Sequence, residues 1–257
     1  MEKKNGQGKR FAGQAFLIIA LLAIIEYVVQ AGIVGELYLA APTSMFKELI
    51  QLIKNDILFD HLYVTLAEFV MGYSLAIVFG IGLGLFLVLT PGAEDFFRPF
   101  LSALMAIPKV TIIPLLIIWL GIGYLNKVVV IFISCVFPIV FNTISGIKQT
   151  ADNNLKVAKV FEATHWQTIS KVILPSAAST IFAGLKIAAA SGLIGGLFAE
   201  MLASKAGLGN LLVKASQLYN TAQVFALILV VTLLSVLIIS FVDLLERKVF
   251  LKWKSAS

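Results

Sequence analysis

Few side chains in this sequence could do covalent chemistry. It has two histidines, His61 and His165, and one cysteine, Cys135. No spacing here supports a zinc site or a nucleophile triad. One cysteine excludes an internal disulfide and any multi-cysteine metal site. Cys135 reads as a small apolar residue of a packed helix. The remaining candidates are polar groups set within apolar runs, which are costly in a bilayer and often functional. Lys109, beside Pro108, and Glu200 are candidates for lining a path or for pairing in one conformational state. Glu200 reads equally well as an outer-interface residue. Asn142 can hydrogen-bond between helices or face a cavity. Lys186 is expected to snorkel to an interface, and Glu26 to pack against a neighbouring helix.

A second candidate is a stretch rather than a side chain. Residues 151–175 read ADNNLKVAKVFEATHWQTISKVILP, a long polar interruption in an apolar second half. Asp152, Asn153 or Asn154 can cap a short helix over Leu155–Phe161. Thr164-His-Trp-Gln167 is a capping-box pattern that starts a second helix running to Leu174, where Pro175 follows. Val157, Ala158 and Phe161 are expected near one face of the resulting knob. On periodicity alone, a docking knob and an amphipathic loop resting on lipid headgroups remain equally open.

The elements that must carry these groups follow from composition. The chain has 257 residues, 60% hydrophobic and 13% charged, with mean hydropathy +0.98. A soluble domain is roughly a quarter charged, so the solvent implied is a bilayer. Six runs are long enough to span it: about 11–32, 66–89, 100–120, 128–147, 185–203 and 224–245. They are continuous rather than alternating, which indicates helices. The expectation is an all-α membrane protein with one transmembrane domain over residues 1–257. The N-terminal run lacks a convincing cleavage site and reads as an uncleaved first span.

The net charge of +6 does not point to nucleic acid, because the cations cluster at span ends. One set of segments holds Lys3, Lys4, Lys9, Arg10, Arg98, Lys148, Lys156, Lys159, Lys171, Arg247, Lys248, Lys252 and Lys254. The other holds Lys47, Lys54, Lys127, Lys205 and Lys214. This asymmetry puts both termini and the 151–175 loop in the cytoplasm. In the first outer segment, Ser44 can cap a helix with Met45, Phe46, Leu49, Ile50, Ile53 and Ile57 on one side. Gly80-Ile-Gly82-Leu-Gly84 lies mid-span without a preceding strand, so it reads as close helix approach rather than a dinucleotide loop. Pro108, Pro114 and Pro138 are simple kinks or border a cavity; both readings stand.

The 151–175 loop resembles the signature loop of ATP-binding-cassette (ABC) importer permeases of the type I fold. That pattern is Glu-Ala-Ala, three residues, Gly, nine residues, then Ile-x-Leu-Pro; here stand Lys156-Val157-Ala158, Glu162 and Val172-Ile173-Leu174-Pro175. Lys156, Val157 and Glu162 depart from it. A glycine in such a turn often has positive φ, a conformation that costs other residues roughly 1 kcal/mol or more. The nitrate/sulfonate/taurine branch is resembled by an ordered series over roughly residues 40–250. The series runs through His61–Leu66, Gly72–Ala76, Ile107-Pro108-Lys109, Trp119–Gly123, Phe137–Thr143, Ala199-Glu200-Met201, Gly207-Leu208-Gly209 and Leu245-Glu246-Arg247. Glu68 stands where that branch usually has Arg.

The resemblance implies a multi-pass permease of the bacterial inner membrane, a homodimer among lipids. An ABC ATPase would dock on Lys156, Val157, Ala158, Phe161, Glu162, Leu174 and Pro175. An external binding protein would deliver a small anion or a pyrimidine-like vitamin precursor. ATP-Mg would sit on the partner, with no cofactor on this chain. Consistently, the Gly8-Lys9 pair has Lys3 and Arg10 where a phosphate-binding loop needs Gly and Ser/Thr. The rival readings are a self-contained secondary transporter or channel, and a membrane enzyme. Sparse intramembrane acids and a shaped loop count against the first. Against the second, the two histidines fall on opposite sides of the membrane in this topology.

Overall fold

The computed structural model describes residues 2–150 and 152–254, and all regular structure among them is helical. Side chains of residues 1–12, 15, 151–153 and 249–257 lie outside the described set, among them the expected caps Asp152 and Asn153 and the cations Lys3, Lys4, Lys9, Arg10, Lys252 and Lys254. Two compact units are present: Met1–Asp60 with Leu211–Val231, and His61–Asn210 with Thr232–Ser257.

In the first unit, α1 (Glu2–Gln30) carries a shorter apolar stretch, Phe16–Gln30. α2 (Pro42–Lys54) is strongly amphipathic. Glu26 fastens the two, accepting from Thr43 N–H at 3.0 Å and Thr43 Oγ1 at 2.7 Å. Two sequence expectations change here. α2 starts at Pro42 behind Ala41, with no side-chain cap, because Pro at the first turn needs no N–H partner; Ser44 lies inside it. Ile57 does not extend α2, since Asp56 takes φ 57° and opens a new helix.

The second unit is built on α3 (Ile57–Leu89), α6 (Tyr124–Lys148), α9 (Leu174–Ala203) and the latter part of α11 (Thr221–Lys254). These four helices are long and apolar enough to cross a membrane. α4 (Ala93–Ala106) and α5 (Lys109–Leu120) make a fifth span at most, because they meet at an 89° bend. Sequence reading takes 100–120 as one crossing interrupted by Pro108 and Pro114. The break follows from Pro108, which disfavours helical geometry at Ile107; Ile107 has ψ 126° and Pro108 ψ 113°.

α6 is the buried axis of this unit. Its face is β-branched and small: Val128, Val130, Ile131, Ser134, Cys135, Ile139, Val140 and Thr143 are all buried. Both flanking helices present glycines to it. A Cβ on Gly80 of α3 would stand 2.8 Å from Ile139 Cβ, and one on Gly184 of α9 would stand 2.5 Å from Asn142 Cβ. With no hydrophobic driving force between helices in lipid, such close backbone approach supplies van der Waals packing. α10 (Leu208–Gln217) follows α9 after a short loop.

Candidate functional site

Of the candidates in the 151–175 loop, Lys156, Val157 and Ala158 sit on α7 (Asp152–Val160), Phe161 and Glu162 directly follow it, and α8 (His165–Thr168) comes next. α7 ends in a Schellman arrangement: Ala163 N–H donates to Ala158 O at 3.0 Å, and Glu162 N–H to Lys159 O at 3.0 Å. This places Glu162 at the left-handed position, with φ 49°. Glycine suits that position sterically, so the glutamate there carries backbone strain. Thr164 then closes a capping box on α8, accepting from Gln167 N–H at 3.2 Å while Gln167 Oε1 accepts from Thr164 N–H at 2.9 Å.

The second loop helix does not stop at Leu174. It passes through a π-helical turn, Ile169–Ile173, straight into α9. Pro175 explains the widened turn, since it has no N–H for the carbonyl four residues back and its ring crowds that carbonyl. Ser176 Oγ donates to Val172 O at 2.7 Å beside it. Leu174 and Pro175 are therefore half-buried parts of a continuous helix.

The knob's faces differ from the expectation of one shared face. Ala158 is buried against its own chain, while Val157, Val160 (80% exposed), Phe161 (80%) and Trp166 (73%) point outward. Lys156, Lys159 and Glu162 are exposed around them. The loop thus presents apolar side chains ringed by charge, a surface of the kind that marks a protein or membrane contact.

The three path candidates have separate neighbours. Lys109, at the start of α5, donates from Nζ to Met105 O and lies 5.7 Å from the Phe137 ring centre. It thereby caps the last turn of α4 at the bend. Asn142 Nδ2 donates to Pro138 O at 2.8 Å within its own helix. Glu200 is 1% exposed; Oε1 accepts from Thr65 Oγ1 at 2.7 Å and Oε2 from Gly209 N–H at 2.6 Å. Lys186, expected to snorkel, instead bridges Asp243 at 2.6 Å and Glu246 at 2.7 Å on α11.

Sequence reasoning missed the partner of Glu68. Lys127, which the charge pattern places simply in an outer segment, is 5% exposed and pairs with Glu68 at 3.1 Å. Glu68 is 1% exposed. The signal available was Glu68 itself, an acid in an apolar run at a position where the resembling branch carries a cation.

A family described as binding-protein-dependent transport system inner membrane component matches residues 76–251. The chain belongs to that family. The permease is 31% identical over 258 residues to the putative aliphatic sulfonates transport permease protein SsuC of Bacillus subtilis (strain 168), covering 100% of this chain and 93% of that one. It is 25% identical over 236 residues to the taurine transport system permease protein TauC of Escherichia coli (strain K12), covering 90% and 86%. Against the formylaminopyrimidine transport permease protein ThiX of Halalkalibacterium halodurans, identity is 29% over 235 residues, covering 91% and 93%. In fold, the permease resembles inward-facing structures of the MetNI methionine ABC transporter, with TM-score 0.67 at 18% identity over 75% of this chain and 96% of that one. The all-α membrane architecture is the type I ABC importer permease fold, and the protein is a multi-pass inner-membrane permease subunit of an ABC importer.

Proposed function

We propose that this permease is driven from the cytoplasmic side by a separate ABC ATPase that grips the α7–α8 knob. The observation that carries this is the outward apolar set Val157, Val160, Phe161 and Trp166, held on a capped, sharply turned loop outside the spans. Aromatic and aliphatic anchors within a charged rim are what a protein groove binds most strongly. Lys156, Lys159 and Glu162 supply that rim. Leu174 and Pro175 join the knob to α9 as one continuous helix, so a push on the knob is carried into the packed α6–α9 pair.

Two copies of the chain form the path in this reading, with both termini cytoplasmic and ATP-Mg held by the ATPase rather than by this chain. The cargo is a small organic anion of the sulfonate or taurine class, or a pyrimidine-like precursor, delivered by an external binding protein. The names of the relatives support that range. Lys109 is the path candidate suited to an anion, being a half-buried cation at the broken span. Asn142 is the polar candidate beside it in the sequence of spans. Glu200, closed in by hydrogen bonds, would act by holding one state rather than by touching solute.

The test is a cross-link. In a Cys135→Ser background, Phe161→Cys should form a nucleotide-sensitive cross-link to the ATPase of the purified transporter. Efficient labelling of that cysteine from the external side of sealed vesicles would reject both the docking and the orientation.

A further inference from the structure

α3, α4 and α6 border an apolar cavity of about 530 Å³. Phe79, Gly82 and Phe86 wall it from α3, Leu101 from α4, and Phe132 and Phe137 from α6. Apart from Gly82, every residue that lines it is Val, Leu or Phe. Its rim is open: Val78, Phe79 and Phe86 are exposed, and a Cβ added at Gly82 would meet nothing within 4 Å. Its depth can be read along α3, which ends at Leu89. Phe86 and Val78 lie about 5 Å and about 16 Å from that end at 1.5 Å per residue. One leaflet of a ~30 Å hydrocarbon core has this depth.

Charge stands at the same end. Glu94 Oε1, near the start of α4, accepts from Arg98 Nη1 at 3.3 Å and from Lys148 Nζ, at the end of α6, at 2.7 Å. Glu94 is buried, whereas the side chains of both cations are more than half exposed. Arg98 is one turn from the cavity residue Leu101, on the same face of α4. Two cations share one carboxylate, which leaves one positive charge. Asp95 is exposed at the next position of α4, turned about 100° around the helix from Glu94. A guanidinium has five N–H donors and an ammonium three, so donors remain on both cations after the bonds to Glu94.

The walls narrow the occupant. A small-solute site carries a few placed polar groups that fix orientation, and among the described residues no polar side chain lines this cavity. What fits is hydrocarbon over the depth of one leaflet, with an anion at the end where Arg98 and Lys148 stand.

We propose that the cavity holds an acyl chain of an anionic phospholipid whose phosphate is bound by Arg98 and Lys148. Basic side chains between spans at a membrane face suit such headgroups, and the Arg fork matches two phosphate oxygens. The chain fills the space between α4 and the buried α6 axis that protein packing leaves open. Only the choice of leaflet rests on the orientation proposed above.

Lipid competition tests it. The full-length permease, purified in mild detergent and delipidated, would be titrated with dioleoyl phosphatidylglycerol and with dioleoyl phosphatidylcholine, which share chains but differ in net charge. Bound lipid would be counted by native mass spectrometry. Wild type should prefer the anionic lipid by about fivefold, the effect of one uncompensated cation beside an anionic headgroup. Arg98→Gln keeps the Lys148–Glu94 contact and should erase that preference while phosphatidylcholine binding stays unchanged. Gly82→Leu puts a side chain into the cavity from a position clear of neighbours and should weaken both lipids severalfold. Glycerol phosphate, a headgroup without chains, should displace neither. Equal affinity of wild type for the two lipids, or a preference that survives Arg98→Gln, overturns the proposal. So does undiminished binding to Gly82→Leu, or displacement by glycerol phosphate. A Gly82→Leu variant that binds lipid normally but changes the number of associated permease copies would mark the cavity as a surface between copies instead. None of these readouts involves ATP or solute uptake, so their failure leaves the docking of the knob standing.

Discussion

Gly80→Ala probes the packing of α3 against α6. The added methyl would lie 2.8 Å from Ile139 Cβ, 2.7 Å from Ile139 Cγ2 and 3.3 Å from Val136 O. Carbon atoms settle at about 3.5–4.0 Å, so α3 and α6 must part by roughly 1 Å. Ile139 cannot turn away, because it is fully buried and its β-branched side chain has one strongly preferred rotamer in a helix. Overpacking of this kind costs ~1–3 kcal/mol. For a chain of this size that corresponds to about 2–4 °C of melting temperature per kcal/mol. Gly82→Ala is the matched control: same helix, two positions on, with nothing within 4 Å of the added methyl. Its only intrahelical effect is a propensity gain of up to ~1 kcal/mol. Thermal unfolding of detergent-purified protein, read by loss of the monodisperse peak, should therefore move in opposite directions for the two alanines. Equal shifts would refute the claim that Gly80 is there for helix approach.

Two further changes address the knob. Glu162→Gly should relieve the left-handed position and stabilise the α7 end by up to ~1 kcal/mol, seen as slower amide exchange over 156–164; faster exchange would show that the glutamate side chain, not the backbone, holds the turn. Thr164→Ala removes the box cap and should cost ~1 kcal/mol locally, speeding exchange at 165–168 while leaving the helices of the buried axis unchanged. Protection of 165–168 unaltered by that change would mean that the π turn alone organises α8.

The helices were legible wherever local signals suffice. Long apolar runs and the Thr164–Gln167 box depend only on near neighbours in sequence. What the sequence hid is set by long-range contacts or by competition between local signals. Pro108 bends a run whose hydropathy reads as one crossing, and Pro175 widens a helix rather than ending it. Lys127 reads as an interfacial cation because its partner Glu68 is 59 positions away and no local pattern joins them. Ala158 is buried where the Schellman turn returns Ala163 N–H to its carbonyl, a setting that periodicity counted along α7 alone does not convey.

The measurement closest to the central claim is ATP-driven uptake in proteoliposomes containing the whole transporter with Phe161→Ala. Phe161 is the most exposed aromatic of the knob, and truncation removes an anchor while leaving the Schellman turn's backbone bonds intact. The account predicts that the permease inserts and that the ATPase still turns over, but that solute uptake falls at least tenfold, the ~1.4 kcal/mol or more expected of a lost anchor. Uptake at the wild-type rate per ATP consumed would contradict it.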